Sequence, residues 1–406
     1  MAEKVLVISP VQVYPCYSGN RKRIESICKA VMGMGYEVDF YYCGFEKQLD
    51  NAHHTLFNGT ILDFDTNGLQ YSPVSEPWVR TKEILNGIQI GIETRIRKFM
   101  EGEESARFNK GLSEYQNIRK IELLKNQISG HSYKAVIINY AVYSFYFDLF
   151  FPETIRILDT HDRLTDRYKM YLDEGKVPAD WHSLRMKDER KAISRADIIW
   201  AITRREKNHY TEMVNSYVAR IYTVRHLTEY KPVLYEGEKK RVVMVGSDNT
   251  LNVEGLDWFL NHVWPNIDSE HAELVIAGTL CRAKNHVSES DRVTYYGLFD
   301  TEEEVYRLGN VFINPMQAGT GLKIKTLEAL AHGKAVLSTR EGASGLGEFE
   351  GDSLIITDQP AEWVRIIHKL LENDWNALSL DSSGEKVKKV LQENLNRIKD
   401  SLSLQK

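Results

Sequence analysis

Short runs of apolar, mostly β-branched residues recur along the chain. Each stops at a glycine, a proline or a small polar cluster, and stretches with helical spacing lie between them. In the first half these runs are residues 4–9 (KVLVIS), 38–43 (VDFYYC), 135–139 (AVIIN), 155–158 (IRIL), 196–202 (ADIIWAI) and 220–224. An uninterrupted apolar run implies a strand covered on both faces, which is the condition of a parallel sheet between helices. A charged run, residues 236–241 (EGEKKR), interrupts the pattern and reads as a linker. Beyond it the alternation restarts at 242–246, 273–277, 293–296, 310–313, 335–338 and 353–357. Strand and helix alternating twice over predicts an α/β protein with two doubly wound parallel sheets.

Between these strands the spacing predicts a basic helix over 21–32, entered through the loop 10–20 with Ser18 and Gly19 and closed by Gly35. Residues 84–100 and 117–128 have helical spacing but carry charges of both signs, so two readings stand. They are either solvated helices inserted between strands or a lip facing an acceptor or a membrane. A mixed-charge helix covers about 180–195, where Glu189 and Arg190 read as structural. The aromatic stretch 140–151 (YAVYSFYFDLFF) reads as core ahead of an acceptor wall or a dimer contact. Residues 387–402 form an amphipathic terminal helix.

Composition narrows the classes. At 406 residues, 42% hydrophobic and 27% charged, the chain is expected to be a soluble globular protein of two domains. No apolar run approaches the ~18–20 residues of a spanning helix. The first residues enter a strand without a basic leader and apolar segment, so no signal peptide is expected and a cytoplasmic location is. Cys16, Cys28, Cys43 and Cys281 have no ligand spacing and read as free thiols. The net charge of −5 divides into +3 for residues 1–240 and −8 for 241–406. That is too small a basic excess for nucleic acid, but compatible with peripheral contact at an anionic inner membrane face.

The candidate chemistry is densest at 314–336 (NPMQAGTGLKIKTLEALAHGKAV): strand, glycine loop with Gly319 and Gly321, helix from about Leu322, closing Gly333, strand. A glycine loop feeding a helix N-terminus suits a phosphate. Lys323 and Lys325 lie in the first turn, where the macrodipole disfavours cations, so they call for an anion. Glu328 follows at a reach suited to sugar hydroxyls. Gly246 with Ser247, Gly278 and Gly297 also follow strands, so four strand ends would line one crevice.

This segment, with 243–259 (VMVGSDNTLNVEGLDWF) and 274–278 (LVIAG), resembles the nucleotide-sugar half of a GT-B glycosyltransferase, nearest the retaining family 4 enzymes of bacterial polysaccharide synthesis. The resemblance is specific over about 241–347 and diffuse before that. It implies a GT-B architecture of two Rossmann-like domains facing an interdomain cleft. The first domain would be 1–235 on the acceptor side and the second 236–385 on the donor side. A terminal helix, 386–406, would return to the first domain.

The resemblance further implies donor contacts at Gly19, Gly246, Ser247, Asn249, Gly278, Leu298, Phe299, Gly319, Thr320, Gly321, Lys323 and Glu328. Leu298 and Phe299 would face the base, Glu328 the ribose, and Gly319 to Gly321 with Lys323 the diphosphate. His161, in DTHD after a strand, resembles the active-site histidine, with Asp159 and Asp162 to set its tautomer or bind acceptor hydroxyls. Catalytic roles fall to His161, Asp162 and Lys323. Two departures stand out. A glutamate eight residues before Glu328 is replaced by Thr320, and the basic pair after the second domain's first strand is replaced by 247–252 (SDNTLN).

The reading is a hexosyltransferase using a nucleoside-diphosphate sugar and a glycan or lipid-linked saccharide acceptor, with no metal and no cofactor. The alternatives are a nucleotide-sugar epimerase or hydrolase on the same fold, and a catalytically silent partner subunit that binds a sugar nucleotide.

Overall fold

The computed structural model describes residues 2–14, 16, 18–44, 56–62, 76–173, 183–214, 219–237, 240–268, 272–286, 292–319, 321–351, 353–372 and 380–404. Thr320 and part of the expected linker lie outside the described residues. The chain divides into two compact units, Met1–Val224 with Leu395–Lys406, and Arg225–Asn394.

The strands of the first unit are β1 (Lys4–Ser9), β2 (Glu37–Tyr42), β3 (Ile61–Leu62), β4 (Ala135–Asn139), β5 (Ile155–Asp159), β6 (Ile198–Ala201) and β7 (Arg220–Thr223). They form one sheet in the order β3-β2-β1-β4-β5-β6-β7, with every pair parallel. Val5 stands opposite both Val38 and Ala135, so the centre of the sheet is apolar in register. All of β4 is buried, as its unbroken apolar run requires.

The second unit holds β8 (Lys240–Val245), β9 (Ala272–Ala277), β10 (Val293–Gly297), β11 (Val311–Asn314), β12 (Ala335–Ser338) and β13 (Leu354–Ile356). The order is β10-β9-β8-β11-β12-β13, again parallel throughout. In each sheet the order reverses once, between β1 and β4 and between β8 and β11. A crevice opens at the carboxyl edge of such a switch point.

The strands expected from apolar runs lie within two residues of those observed, and one was missed. That one, β3, pairs Ile61 with Phe40 and Leu62 with Tyr41, and its two described residues are too few to show a period. The helix expected at 84–100 runs over Glu76–Phe108, broken at Gly102, whose φ of 84° is not helical. The terminal helix is Leu380–Leu402. Its Ser401 accepts from the Trp200 indole at 2.9 Å, and Arg397 donates to Thr223 O at 2.5 Å, both within the first unit. The aromatic stretch is largely core, Ala141 to Phe147 being buried. Among the described residues no helix is long and apolar enough to cross a membrane.

Candidate functional site

In the second unit the ends of β8, β9 and β10 are tied together through their glycines. Gly246 N donates to Ala277 O at 3.0 Å, Leu280 N to Gly246 O at 3.0 Å, and Gly278 N to Gly297 O at 2.7 Å. Gly278 has φ 88°, and a Cβ there would stand 2.3 Å from Gly246 O. Only glycine satisfies both the conformation and the space. Past Gly297, also left-handed at φ 90°, Leu298 is exposed and Phe299 half-buried.

The loop after β8 is ordered by its own side chains. Asn249 caps the helix Thr250–His262 by accepting from Asn252 N at 2.9 Å, and it donates to Ser247 Oγ at 3.1 Å. Asn252 is buried and donates to Ser247 O and Oγ at 2.9 and 3.0 Å. Ser247 and Asn249, expected as donor contacts, thus also build the loop. Asp248 binds Thr279 Oγ1 through its N–H and its carboxylate, both at 3.0 Å. The Thr279 hydroxyl is the chief cause of a carboxyl held below its ordinary range. Arg282 Nη1 lies 3.3 Å from the same carboxylate. The chain therefore brings a basic side chain to this loop from the end of β9. Spacing after β8 could not reveal it.

Across the switch point, Gly319 (φ 148°) and Gly321 (φ 74°) precede the helix Ile324–Ala331. The helix begins two residues later than expected, and Lys323 occupies its N-cap position. The Lys323 ammonium is buried, 2.9 Å from Glu341 Oε1, and a Cβ on Gly319 would meet it at 2.6 Å. Lys325 sits half-buried two residues along. Of the two lysines, Lys323 is the one laid against Gly319. The helix is tied to the loop after β12 by Thr326, whose hydroxyl donates to Gly342 O at 2.8 Å and accepts from Asn314 Nδ2 at 2.9 Å.

Glu328, on the same helix, is 3% exposed. Its oxygens lie 3.6 Å from His226 Nε2 and 3.5 Å from the Tyr306 hydroxyl. Tyr306 stacks on His332 at 4.1 Å, and His332 Nδ1 meets Glu328 O at 2.8 Å. Burial, then the charge of Glu328, pushes the Tyr306 hydroxyl pKa upward. Neither His226 nor Tyr306 could be placed beside Glu328 from sequence distance.

In the first unit the switch point gathers Gly19 and Asn20 after β1, Tyr140 after β4, and His161 after β5. Gly19 opens the helix Gly19–Gly33. Asn20 Oδ1 accepts from Ser18 Oγ and Arg21 N, and its Nδ2 donates to the Tyr140 hydroxyl at 3.1 Å. His161 is 5% exposed, with Nε2 at 2.9 Å from Asn139 Oδ1. Because Asn139 Nδ2 donates to Ile8 O, its oxygen faces the ring, and Nε2 carries the proton. Burial is the first cause of a pKa lowered to about 4, against the opposing pull of Asp159, so the ring is neutral.

Asn139 thus accepts from Nε2, and Asp159, expected beside the ring together with Asp162, has Oδ2 3.5 Å from the same nitrogen. Asp159 is engaged in a fully buried fork with Arg23, at 2.9 and 2.6 Å, and Arg23 also donates to Val224 O. Asp162 lies 3.5 Å from Arg167 and accepts from the Tyr210 hydroxyl through its backbone oxygen at 3.1 Å. Nearby, burial and then the charge of Asp162 push the Glu206 carboxyl up to about 8. Its sequence signal was the capping box Thr203-x-x-Glu206 after an apolar run. Among the described residues no group of three or more His, Cys, Asp or Glu is placed to hold a metal ion.

Residues 239–373 match the family model described as glycosyl transferases group 1. An uncharacterized 44.6 kDa protein in the cps region of Klebsiella pneumoniae is 33% identical over 137 residues, covering 30% of this chain and 34% of that protein. The chain thus matches about a third of the length of this curated relative. Among solved structures, a sucrose-phosphate synthase from Thermosynechococcus elongatus is similar at TM-score 0.64, with 15% identity and 98% of each chain covered. Anabaena HepE in complex with UDP-glucose is similar at TM-score 0.61, with 12% identity and 99% of each chain covered. A variant of S. aureus TarM in complex with fondaparinux, alpha-GlcNAc-glycerol and UDP is similar at TM-score 0.63, with 10% identity and 98% and 99% covered. The fold is GT-B, with two Rossmann-like domains.

Proposed function

We propose that this protein is a glycosyltransferase that moves a hexose, with retention, from a nucleoside-diphosphate sugar to a glycan or lipid-linked saccharide in bacterial surface polysaccharide synthesis. The observation that carries this is the placement of the Lys323 ammonium against Gly319, at the carboxyl edge of the β8/β11 switch point, inside the segment that matches the group 1 model. A cation held there by loop and helix can take up the charge of a departing diphosphate, and a preformed position avoids reorganisation during transfer. Gly246, Gly278 and Gly319 let the strand-end loops close tightly on Leu280, on the Gly246 carbonyl and on Lys323, which shapes the floor offered to the donor. Leu298 offers an apolar surface to a base, and Glu328 offers a carboxylate to ribose hydroxyls. The partial relative described as lying in a cps region supports the polysaccharide setting.

Under this reading His161 gives the sugar a neutral lone-pair nitrogen, Nδ1, rather than a proton, and Asp162 is the carboxylate beside it. Neither a metal ion nor a cofactor is part of the proposal, and the donor is a substrate.

A thermal-shift series with UDP-, GDP-, dTDP- and CMP-sugars tests it, run on the wild type and on Glu328→Ala. A ligand that binds only the native state raises stability by RT ln(1 + [L]/Kd). One nucleotide series should stabilise the wild type and lose its effect in the variant. Equal shifts in both proteins, or none with any donor, would overturn the donor site.

A further inference from the structure

The helix Glu76–Phe108 is turned inside out relative to an ordinary surface helix. Trp78, Ile84, Leu85, Ile88, Ile92, Ile96, Phe99 and Met100 are each at least half exposed, Phe99 reaching 93%. Ile84, Ile88, Ile92 and Ile96 follow one another at four-residue spacing, and Leu85, Ile92 and Phe99 at seven, so they form one stripe. The side facing the protein is the polar one. Glu83 pairs with Arg119 at 2.8 Å, Lys82 with Glu122 at 2.6 Å, Arg97 with Glu114 at 2.5 Å, and Glu93 accepts from Ser113 at 2.5 Å.

Charge tells what the stripe can meet. Between residues 77 and 100 the exposed positions include Arg80, Arg95 and Lys98 and no acidic residue. The two acids of this stretch, Glu83 and Glu93, are only partly exposed and are engaged on the inner side. Glu101, next to Met100, is exposed but is held by Arg185 and Lys187 at 3.0 and 3.3 Å, and Glu103 and Glu104 lie beyond the break at Gly102. A second copy laid on this face would bring Arg95 and Lys98 against a surface whose carboxylates, Glu83, Glu93 and Glu101, are already engaged. Anionic headgroups answer them, and acyl chains take the isoleucines and Phe99.

We propose that this face docks the protein flat on an anionic lipid surface, with the apolar stripe entering the headgroup boundary and Arg80, Arg95 and Lys98 binding lipid phosphates. The contact is independent of what the glycine loops bind.

Flotation of the full chain with vesicles tests it. Vesicles of phosphatidylcholine mixed with phosphatidylglycerol should carry the protein up, vesicles of phosphatidylcholine alone should not, and added salt should weaken the binding. Ile92→Glu combined with Phe99→Glu should reduce the bound fraction about tenfold or more. Both side chains are exposed, so the thermal midpoint should be kept. Arg95→Gln with Lys98→Gln, which touches no apolar side chain, should reduce binding independently. No flotation with the mixed vesicles, or flotation that both double variants leave unchanged, would overturn the proposal. So would a dimer, detected by sedimentation, that the glutamate pair dissolves while vesicles bind nothing.

Discussion

The His161 ring stacks on Tyr140 with centroids 4.2 Å apart and planes 10° from parallel, and both residues have left-handed backbones, φ 60° and 68°. Two adjacent strand ends therefore spend backbone strain on the same contact. Non-glycine residues hold such conformations only where their surroundings over-determine them, and such strain clusters at functional sites. Here the stack, the Asn139 bond to Nε2 and the Asn20 bond to the Tyr140 hydroxyl do so.

The neutral His161 has a pH signature. Its pKa falls from 6.5 in the unfolded chain to about 4 in the folded one. Between those values the unfolded chain binds more protons, so stability rises with pH across the window. The contribution is complete above 6.5 and is lost as pH falls through 4, amounting to about 3 kcal/mol at the acid end. His161→Asn, which tolerates the left-handed backbone, should lose less stability than the wild type between pH 6.5 and 4. Urea unfolding at a series of pH values checks this, and parallel curves would contradict it.

The buried fork between Arg23 and Asp159 predicts a non-additive pair. Arg23→Met or Asp159→Leu alone leaves a buried charge without its partner and should cost about 3–5 kcal/mol. The double variant removes both charges and should be more stable than either single one. Chemical denaturation of the three variants measures the coupling. A double variant as unstable as the sum of the singles would show that the two charges are not energetically linked.

Gly278 and Gly297 have nearly equal φ but different surroundings. Alanine at Gly297 meets nothing within 4 Å, so Gly297→Ala should cost only the left-handed backbone, about 1–2 kcal/mol. At Gly278 the added carbon runs into the Gly246 carbonyl, and neither backbone can yield without parting β8 from β9. Gly278→Ala should therefore be the more destabilised and the weaker nucleotide binder. Thermal midpoints with and without the nucleotide rank the two, and equal losses would refute the close approach.

The sequence by itself determined the two doubly wound sheets, because a strand covered on both faces must be apolar along its whole length. Residues 135–139 and 335–338 show that directly, and β3, with two residues, does not. It also marked the glycine loop before Lys323 and the DTHD strand end, since these are local patterns that depend on a few consecutive residues. Only the tertiary structure decided which groups share a site. It brought Asn139 to His161, Arg23 to Asp159, and His226 and Tyr306 to Glu328, because these partners lie tens of residues apart or more and meet only through sheet order. It also chose Lys323 over Lys325 as the neighbour of Gly319, since a helix starting at Ile324 leaves Lys323 at the cap. The direction of the isoleucine stripe in Glu76–Phe108 was decided the same way. Periodicity fixes which side chains share a face, and the polar anchors Arg119, Glu122 and Glu114 decide which face turns outward.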